Sequence, residues 1–436
     1  MAHQRVNARA PRPRLDATGT AALAAIVLAG IWLAVGSASG STIVDTGVSP
    51  EPRWVAGPLH GLGPELSGDG FSVCLLIMLA GYLLALWRAA RLDLRLVAAA
   101  IVLVHVAMAL APPLLSSDLF HYLAYPRLYL LHGLNPYTHV PASVPRDPLL
   151  PLIYWRHITS PYGPLFTILT FPLAALSPTG AVWVLKGAMA TISLAMVWAV
   201  STAARRRGLS GRAAAVLVGL NPVVVVWAVG GAHTDLLVAL ALAGVLAADA
   251  AGARASAGAL GVVGAAVKIS GAVALPYLVA ARRRPGWALA GVAAALALIA
   301  AVTVPLFGFH VLDVPAMLAT GRRYVIDYSG PDVVGRVLGT GPGAGVRAAC
   351  SGVALIAMLA LLVALVRRRG EGWVQAAGWA TLAGLLAINS LEPWYLTTLL
   401  PLAGASPSGR LRTATLALML WMLVVRLPLL GFDPLL

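Results

Sequence analysis

Residues 116 to 165 read SSDLFHYLAYPRLYLLHGLNPYTHVPASVPRDPLLPLIYWRHITSPYGPL and differ in character from the rest of the chain. Most of the sequence is Ala, Leu, Val and Gly, whereas this stretch is crowded with ionisable and aromatic side chains. It follows an apolar run that ends at Leu115, so the first carboxylate, Asp118, is predicted to lie at the boundary between water and lipid. Ionisable residues packed against membrane spans are costly to keep and are often functional. An ordinary extramembrane loop is the alternative interpretation of this stretch.

The composition of the whole chain predicts a polytopic helical membrane protein. Of its 436 residues, 59% are hydrophobic and 11% are charged, and the mean hydropathy is +0.85. In a soluble domain, roughly a quarter of the residues would be charged. Repeated apolar runs predict an all-α fold with roughly 11 to 13 transmembrane helices, some of them short or broken. The predicted organisation is a cytoplasmic tail over residues 1–19 and a single transmembrane domain over residues 20–431.

The charge distribution predicts membrane lipids, and no nucleic acid, as partners of the basic residues. The net charge is +15, which on its own would also suit a nucleic-acid-binding protein. The arginines, however, occur in short runs between the apolar segments, which is typical of cytoplasmic loops. Cys74 and Cys350 both lie in apolar runs, so no disulfide framework is predicted.

The arginine runs also predict the topology. They place the N-terminus in the cytoplasm, with a first span over about residues 20–38 and a signal peptide as the alternative. Three segments are then external loops, at about residues 39–70, 116–180 and 308–345. Residues 164–176 are too short to cross a bilayer. We expect an interfacial or re-entrant helix there, because a crossing would put the arginines at 205–207 outside.

Residues 256–281 are predicted to form two half-helices. Arginines flank the segment at Arg254 and at 282–284, and both ends should be cytoplasmic. Lys268 lies near the middle, in a Lys-Ile-Ser-Gly sequence that interrupts the apolar run. Broken backbone at membrane depth is tolerated only against protein or a cavity, so we expect Lys268 to face a polar cavity.

The order of these features resembles the polytopic GT-C glycosyltransferases, which use polyprenyl-phosphate sugars. A span is followed by an Asp at its external end, a long polar stretch, a Tyr-Gly-Pro-Leu element and a short helix. Within that superfamily, the sequence is similar to the polyprenol-phosphomannose-dependent α-1,6-mannosyltransferases of lipomannan assembly. The motifs that carry the similarity are Asp118 with Tyr122, Arg127, His-Gly-Leu-Asn-Pro-Tyr at 132–137, Ser-Pro-Tyr-Gly-Pro-Leu at 160–165, Asn221-Pro222, Gly-Ala-His-Thr-Asp at 231–235 and Pro-Trp-Tyr-Leu at 393–396.

The resemblance implies a membrane glycosyltransferase with a GT-C fold. Its donor would be polyprenyl-phosphate-mannose, its acceptor a glycan or glycolipid of the lipomannan type, and its chemistry inverting. The site would lie on the external face of the plasma membrane, where the predicted loops carry most of the carboxylates. Two alternatives remain: a GT-C enzyme that transfers another sugar, such as arabinose or glucose, and a transporter or flippase of lipid-linked sugars.

The same resemblance and the positions of the residues suggest roles. Asp118 is the candidate catalytic base, with a helix cap or an ion pair to Arg127 as its alternative role. The candidate substrate-binding residues are Tyr122, Arg127, Asn135, Tyr137, Tyr162, His233, Asp235, Lys268, Arg322, Arg323, Glu392, Trp394 and Tyr395.

Among the binding candidates, the cations would stabilise the leaving phosphate, although loop arginines also serve as ordinary headgroup contacts. Trp394 and Tyr395 would stack on a sugar ring or belong to the aromatic belt at the membrane interface. His233 and Asp235 would bind sugar hydroxyls or a metal, or cap a polar turn. Two such ligands are poor evidence for a metal, so no metal and no cofactor are predicted.

Overall fold

The computed structural model describes residues 16–41, 43–44, 53–281, 285–312 and 324–434, and within these ranges the chain forms helices and no strands. The predicted all-α class is therefore confirmed. The longer helices are α1 (Ala17–Ser37), α2 (Gly68–Trp87), α3 (Leu94–Leu110), α4 (Asp118–His132), α5 (Pro164–Leu169), α6 (Pro178–Arg206), α7 (Gly211–Gly219), α8 (Asp235–Ala250), α9 (Arg254–Val267), α10 (Leu275–Ala280), α11 (Gly286–Phe307), α12 (Gly330–Val337), α13 (Ala344–Arg367), α14 (Trp373–Ala387), α15 (Leu400–Gly404) and α16 (Gly409–Val424). The other helical elements are a four-residue α-helix at Arg53–Ala56, a π-helix at Val223–Val229 and 3₁₀ turns at Gly57–Leu59, Pro141–Ser143, Leu150–Leu152, Phe171–Ala175, Ile269–Ala274, Phe309–Leu312, Pro393–Thr398 and Pro428–Leu430.

Several helices in the described ranges are long and apolar enough to cross a membrane. Five meet this condition by length and composition, namely α1, α2, α6, α11 and α13. A sixth span results if α7 and the π-helix, which meet at a bend of 50°, are taken together. The other apolar helices are shorter, including α3, α9 and the segment from Pro164 to Ala175. The chain is thus a membrane protein in which full-length spans alternate with short and broken helices.

The polar stretch after Leu115 differs from the loop that the sequence predicts, because it begins with a helix. Helix α4 is 15 residues long, and nine of these residues are buried. It has Asp118 in its first turn and ends at His132, and the next residue, Gly133, adopts a left-handed conformation with φ 66°. A carboxylate near the helix N-terminus and a left-handed glycine after the C-terminus are both favourable. Asp118 is therefore held on a buried helix and not on an open loop.

The predicted break at Lys268 is present. Helix α9 ends at Val267, Lys268 is extended (φ −156°, ψ 135°), and a 3₁₀ turn leads into α10. The two halves approach closely, since a Cβ atom on Gly271 would collide with the backbone of Gly264. Small residues allow helical segments in a membrane to pack backbone to backbone, so this glycine pair permits the sharp return of the chain.

Gly163 connects the polar stretch to this break. Its N–H donates to the carbonyl oxygen of Val267 at 2.9 Å. A Cβ atom at position 163 would collide with the carbonyl of Ala266. Only glycine therefore allows the Tyr-Gly-Pro element to lie against the end of α9, next to Lys268.

Candidate active site

Four segments distant in sequence bring most of the candidate site residues together. They are the first turns of α4, the turn that precedes α8, the break at Lys268 and the segment from Glu392 to Tyr395. Each is an end or an interruption of an apolar helix. Functional backbone at such interruptions is typical of membrane proteins, because free polar groups are tolerated only where protein or a cavity covers them.

The most closely paired charges of the site are those of Lys268 and Asp235. The ammonium group of Lys268 donates to both carboxylate oxygens of Asp235, at 2.8 and 3.0 Å. The Asp235 side chain is 1% exposed and that of Lys268 is 19% exposed. The ring of Tyr395 lies 4.3 Å from the same ammonium, a distance at which a cation and an aromatic face attract each other. Within this pair, the lysine is therefore the side chain that solvent or a ligand can reach.

Asp118 is the more accessible carboxylate, with 21% of its side chain exposed. The hydroxyl of Tyr122 lies 3.5 Å from Asp118 Oδ2 and 3.3 Å from His233 Nδ1. His233 Nδ1 is itself 3.6 Å from Asp118 Oδ2. The imidazole is fully buried and stacks on Trp394, with 3.6 Å between ring centroids. Burial, together with the charges of Lys268 and Lys186, lowers the pKa of His233 well below its usual value, so the ring is neutral at physiological pH.

Glu392 completes the site with a partner that the sequence analysis missed. Its carboxylate lies 3.5 Å from the guanidinium of Arg426, whose side chain is only 2% exposed. Burial raises the pKa of Glu392 to about 7, and the charge of Asp118 acts in the same direction, while Arg426 and Lys268 oppose the shift. The charges of Glu392, Asp118 and Lys268 therefore influence one another. Arg426 lies beyond the last motif of the family resemblance, and nothing in its local sequence marks it.

The remaining candidates lie around the site or elsewhere. Tyr162 packs edge-on against Tyr122, with 5.0 Å between ring centroids. Tyr137 donates to the carbonyl oxygen of Tyr162 at 3.1 Å, and Asn135 donates to that of Phe307 at 2.7 Å. Arg127 pairs with Asp147 at 3.0 Å.

Tyr137, Asn135 and Arg127 thus hold the polar stretch in place and are occupied by protein partners. Arg322 and Arg323 lie outside the described residues. Among the residues that are described, no group of three or more His, Cys, Asp or Glu side chains is arranged to hold a metal ion.

A second residue that sequence reasoning left without a role is Lys186, in the N-terminal third of α6. It is fully buried, and its ammonium group donates to the carbonyl oxygens of Gly230 at 2.6 Å and Pro112 at 3.4 Å. These carbonyls belong to the two turns that precede Asp118 and His233. An ionisable residue inside an otherwise apolar span is itself a signal of function, and this signal could have identified Lys186.

Both turns contain strained backbone. Leu115 and Ala232, two buried residues, have φ of 61° and 57°. A residue with a Cβ atom adopts this left-handed region at a cost of about 1–3 kcal/mol, and such strain persists only where the surroundings enforce it. The hydrogen bond from Leu114 N to Gly230 O (3.3 Å) and the two bonds from Lys186 join the turns and supply that constraint.

A helical membrane fold that gathers carboxylates, cations and aromatic rings at helix ends is the arrangement that the resemblance to GT-C glycosyltransferases implies. Comparison with known proteins gives the family. Residues 17–284 match the family model described as alpha-(1→6)-mannopyranosyltransferase, N-terminal domain. The chain therefore belongs to this family, and the predicted glycosyltransferase class is confirmed.

Individual relatives agree with the family match. The chain is 27% identical over 354 residues to alpha-(1→6)-mannopyranosyltransferase A of Mycobacterium tuberculosis. This alignment covers 73% of this chain and 67% of that protein. It is 33% identical over 195 residues to alpha-(1→6)-mannopyranosyltransferase A of Corynebacterium glutamicum, covering 43% of this chain and 39% of that protein. No solved structure matches the chain.

We predict that Lys186→Met lowers turnover by about 10²-fold, the scale expected when reacting groups move by about 1 Å. Some loss of thermal stability is also expected, about 1–3 kcal/mol, because the buried carbonyl oxygens of Gly230 and Pro112 lose this donor. Turnover, apparent donor affinity and thermal stability would be measured on purified protein. Ser193→Ala is the matched control, since Ser193 is also buried in α6 but bonds to His105. If Lys186→Met and Ser193→Ala are equally active, Lys186 does not position the site.

Proposed function

We propose that the chain transfers a mannosyl residue from polyprenyl-phosphate-mannose to a hydroxyl of a glycan or glycolipid acceptor, with inversion at the anomeric carbon. In this reaction the acceptor oxygen bonds to the anomeric carbon as the bond from that carbon to the phosphate oxygen breaks. The electron pair leaves with the lipid phosphate, and the proton of the acceptor hydroxyl moves to a carboxylate of the protein. The family match supports the mannosyl group and the α-(1→6) linkage.

The observation that carries the proposal is the difference between two neighbouring carboxylates. Asp235 is 1% exposed and is neutralised by Lys268, whereas 21% of the Asp118 side chain is exposed. A general base must come within hydrogen-bond reach of the proton that it accepts. Asp118 meets this condition for an external substrate better than Asp235, so we assign it the role of base.

The leaving phosphate needs a cation, because negative charge develops on it as the glycosidic bond breaks. Lys268 provides one, with 19% of its side chain exposed. Its bonds to Asp235 fix the ammonium group in position before the donor binds. Preorganised charges of this kind stabilise a transition state without a cost of reorganisation at the moment of reaction.

The proposed orientation puts this site on the external face of the plasma membrane. The arginine runs are the basis for it, since they assign the turns after α6 and α8 to the cytoplasm. Of the 16 acidic residues, this topology leaves about 12 outside. A substrate anchored in the external leaflet would present its sugar to Asp118 at the start of α4.

We predict that Asp118→Asn lowers transfer by about 10² or more, which is the usual scale for loss of a general base. Donor binding should be largely kept, because the amide preserves the shape of the side chain. Transfer from polyprenyl-phosphate-mannose to a defined oligomannoside, and donor affinity, would be measured on the same preparation. Donors carrying arabinose or glucose test the sugar. Asp69→Asn, at an exposed carboxylate in the first turn of α2, is the control. If Asp118→Asn keeps activity within a few-fold while Glu392→Gln loses it, the base is Glu392.

Lys268 is tested by a double substitution, because removing the cation alone would leave Asp235 buried without its partner. We predict that Lys268→Met with Asp235→Asn weakens the apparent donor affinity by roughly tenfold or more, the scale of a hydrogen bond to a charged group. Arg127→Met with Asp147→Asn is the matched control, since it removes another ion pair of similar burial. If the Arg127 and Asp147 variant loses donor affinity and the Lys268 and Asp235 variant keeps it, Arg127 and not Lys268 binds the phosphate.

Topology is tested by labelling single cysteines in a variant that lacks Cys74 and Cys350. We predict that Ser143→Cys, in the exposed part of the polar stretch, reacts with a membrane-impermeant thiol reagent in intact cells. Ala253→Cys, in the exposed turn after α8, should react only after lysis. The reverse pattern would show that the site faces the cytoplasm.

A further inference from the structure

Three aromatic side chains outside the site described above form a separate surface cluster. Trp155 packs edge-on against Tyr154 and Tyr324, with ring centroids 4.8 and 4.3 Å apart. Tyr154 is 67% exposed and Tyr324 is 38% exposed. We call these three residues the aromatic platform. Exposed large aromatic side chains that lie together commonly mark an interaction site.

The platform differs from the aromatic belts that flank membrane spans. Belt residues lie at the ends of apolar helices, whereas Tyr154 and Trp155 lie in the irregular segment between α4 and α5. Arg156 and His157 follow directly and are exposed. The surface therefore combines apolar ring area with adjacent hydrogen-bond donors.

Two hydrogen bonds fix the platform to the helix that carries Asp118. The backbone N–H of Trp155 donates to Nε2 of His121 at 2.8 Å, and the hydroxyl of Tyr125 donates to the carbonyl oxygen of Ile158 at 3.0 Å. His121 is buried and lies three residues after Asp118, so the two side chains are neighbours on one face of α4. The platform backbone is thus attached about one helical turn from the candidate base.

A carbohydrate chain has the chemistry that fits this surface. Pyranose rings have apolar C–H faces that pack on aromatic rings through dispersion and weak C–H···π contacts, and their hydroxyl groups accept hydrogen bonds from arginine and histidine. Small-molecule sites are concave and bury most of the ligand, whereas the exposure of Tyr154 and Tyr324 describes an open surface. Such a surface suits several units of an extended polymer better than one small molecule.

We propose that the aromatic platform binds the sugar units of the acceptor glycan that lie behind the hydroxyl to be mannosylated. The inference rests on the proposed function, and it specifies the acceptor as an oligosaccharide of several units. The platform then acts as a subsite that selects longer acceptors, while Asp118 and Lys268 act on the terminal unit and the donor.

The direct test is binding of an α-(1→6)-linked oligomannoside to purified protein in the absence of donor. Trp155→Ala is expected to weaken this binding about tenfold, the scale of a well-packed aromatic contact, and Tyr154→Ala severalfold. Trp198→Ala is the control, because the exposure of Trp198, 70%, is close to that of Tyr154, 67%, and Trp198 lies in the span α6. Tyr154→Ala also protects the test against misfolding, since it leaves the contact of Trp155 with Tyr324 intact.

A turnover assay with acceptors of increasing length completes the experiment. The KM of a long acceptor should rise about tenfold in Trp155→Ala, while the KM of a mannoside with one sugar unit and that of the donor stay unchanged. If wild-type protein binds the oligomannoside but transfers no mannose to it, the proposed function fails. The role of the platform in glycan binding is then decided by whether Trp155→Ala and Tyr154→Ala weaken the binding of the oligomannoside. If wild-type protein transfers mannose and both platform variants bind the long acceptor like Trp198→Ala, the platform inference is overturned.

Discussion

The ion pair between Lys268 and Asp235 is the constraint on which the rest of the site depends. Either charge alone would be very costly at this degree of burial, and the pair is tolerated because each charge satisfies the other. The pair joins the interruption after α9 to the first residue of α8, and Tyr395 packs on the cation. A helix break that would otherwise expose unpaired backbone is thereby fixed against protein. The broken helix and the buried pair stabilise the same local arrangement.

Three carboxylates of the site have the same chemistry and different surroundings. Asp235 is bonded to a lysine, Glu392 lies beside a buried arginine, and Asp118 contacts a tyrosine hydroxyl and a neutral imidazole. A nearby cation stabilises the charged form of a carboxylate, whereas burial disfavours it, and for Glu392 the effect of burial is larger than that of Arg426. Burial and partners together, and not residue type alone, therefore distinguish the three acids.

Sequence patterns identified the local features of this arrangement and missed the long-range ones. The arginines around residues 256–281 predicted the break at Lys268, because the positive-inside rule fixes both ends of the segment. Helix α4 was missed because buried residues cover most of its surface, so the stretch has no amphipathic period. The pairing of Glu392 with Arg426 joins segments that lack any shared local pattern. Arg127 and Asn135 match family motifs, but their contacts with Asp147 and Phe307 are visible only in three dimensions.

Lys186 lies outside the site and nevertheless acts on residues within it. Its ammonium group donates to the carbonyl oxygens of Gly230 and Pro112, and these bonds hold the two turns before Asp118 and His233. The effect reaches the site, because the charge contributes to the lowered pKa of His233. The neutral imidazole of His233 lies 3.6 Å from Asp118 Oδ2. One residue in α6 therefore bonds to both strained turns before Asp118 and His233, and it adds to the effect of burial and of Lys268 on His233.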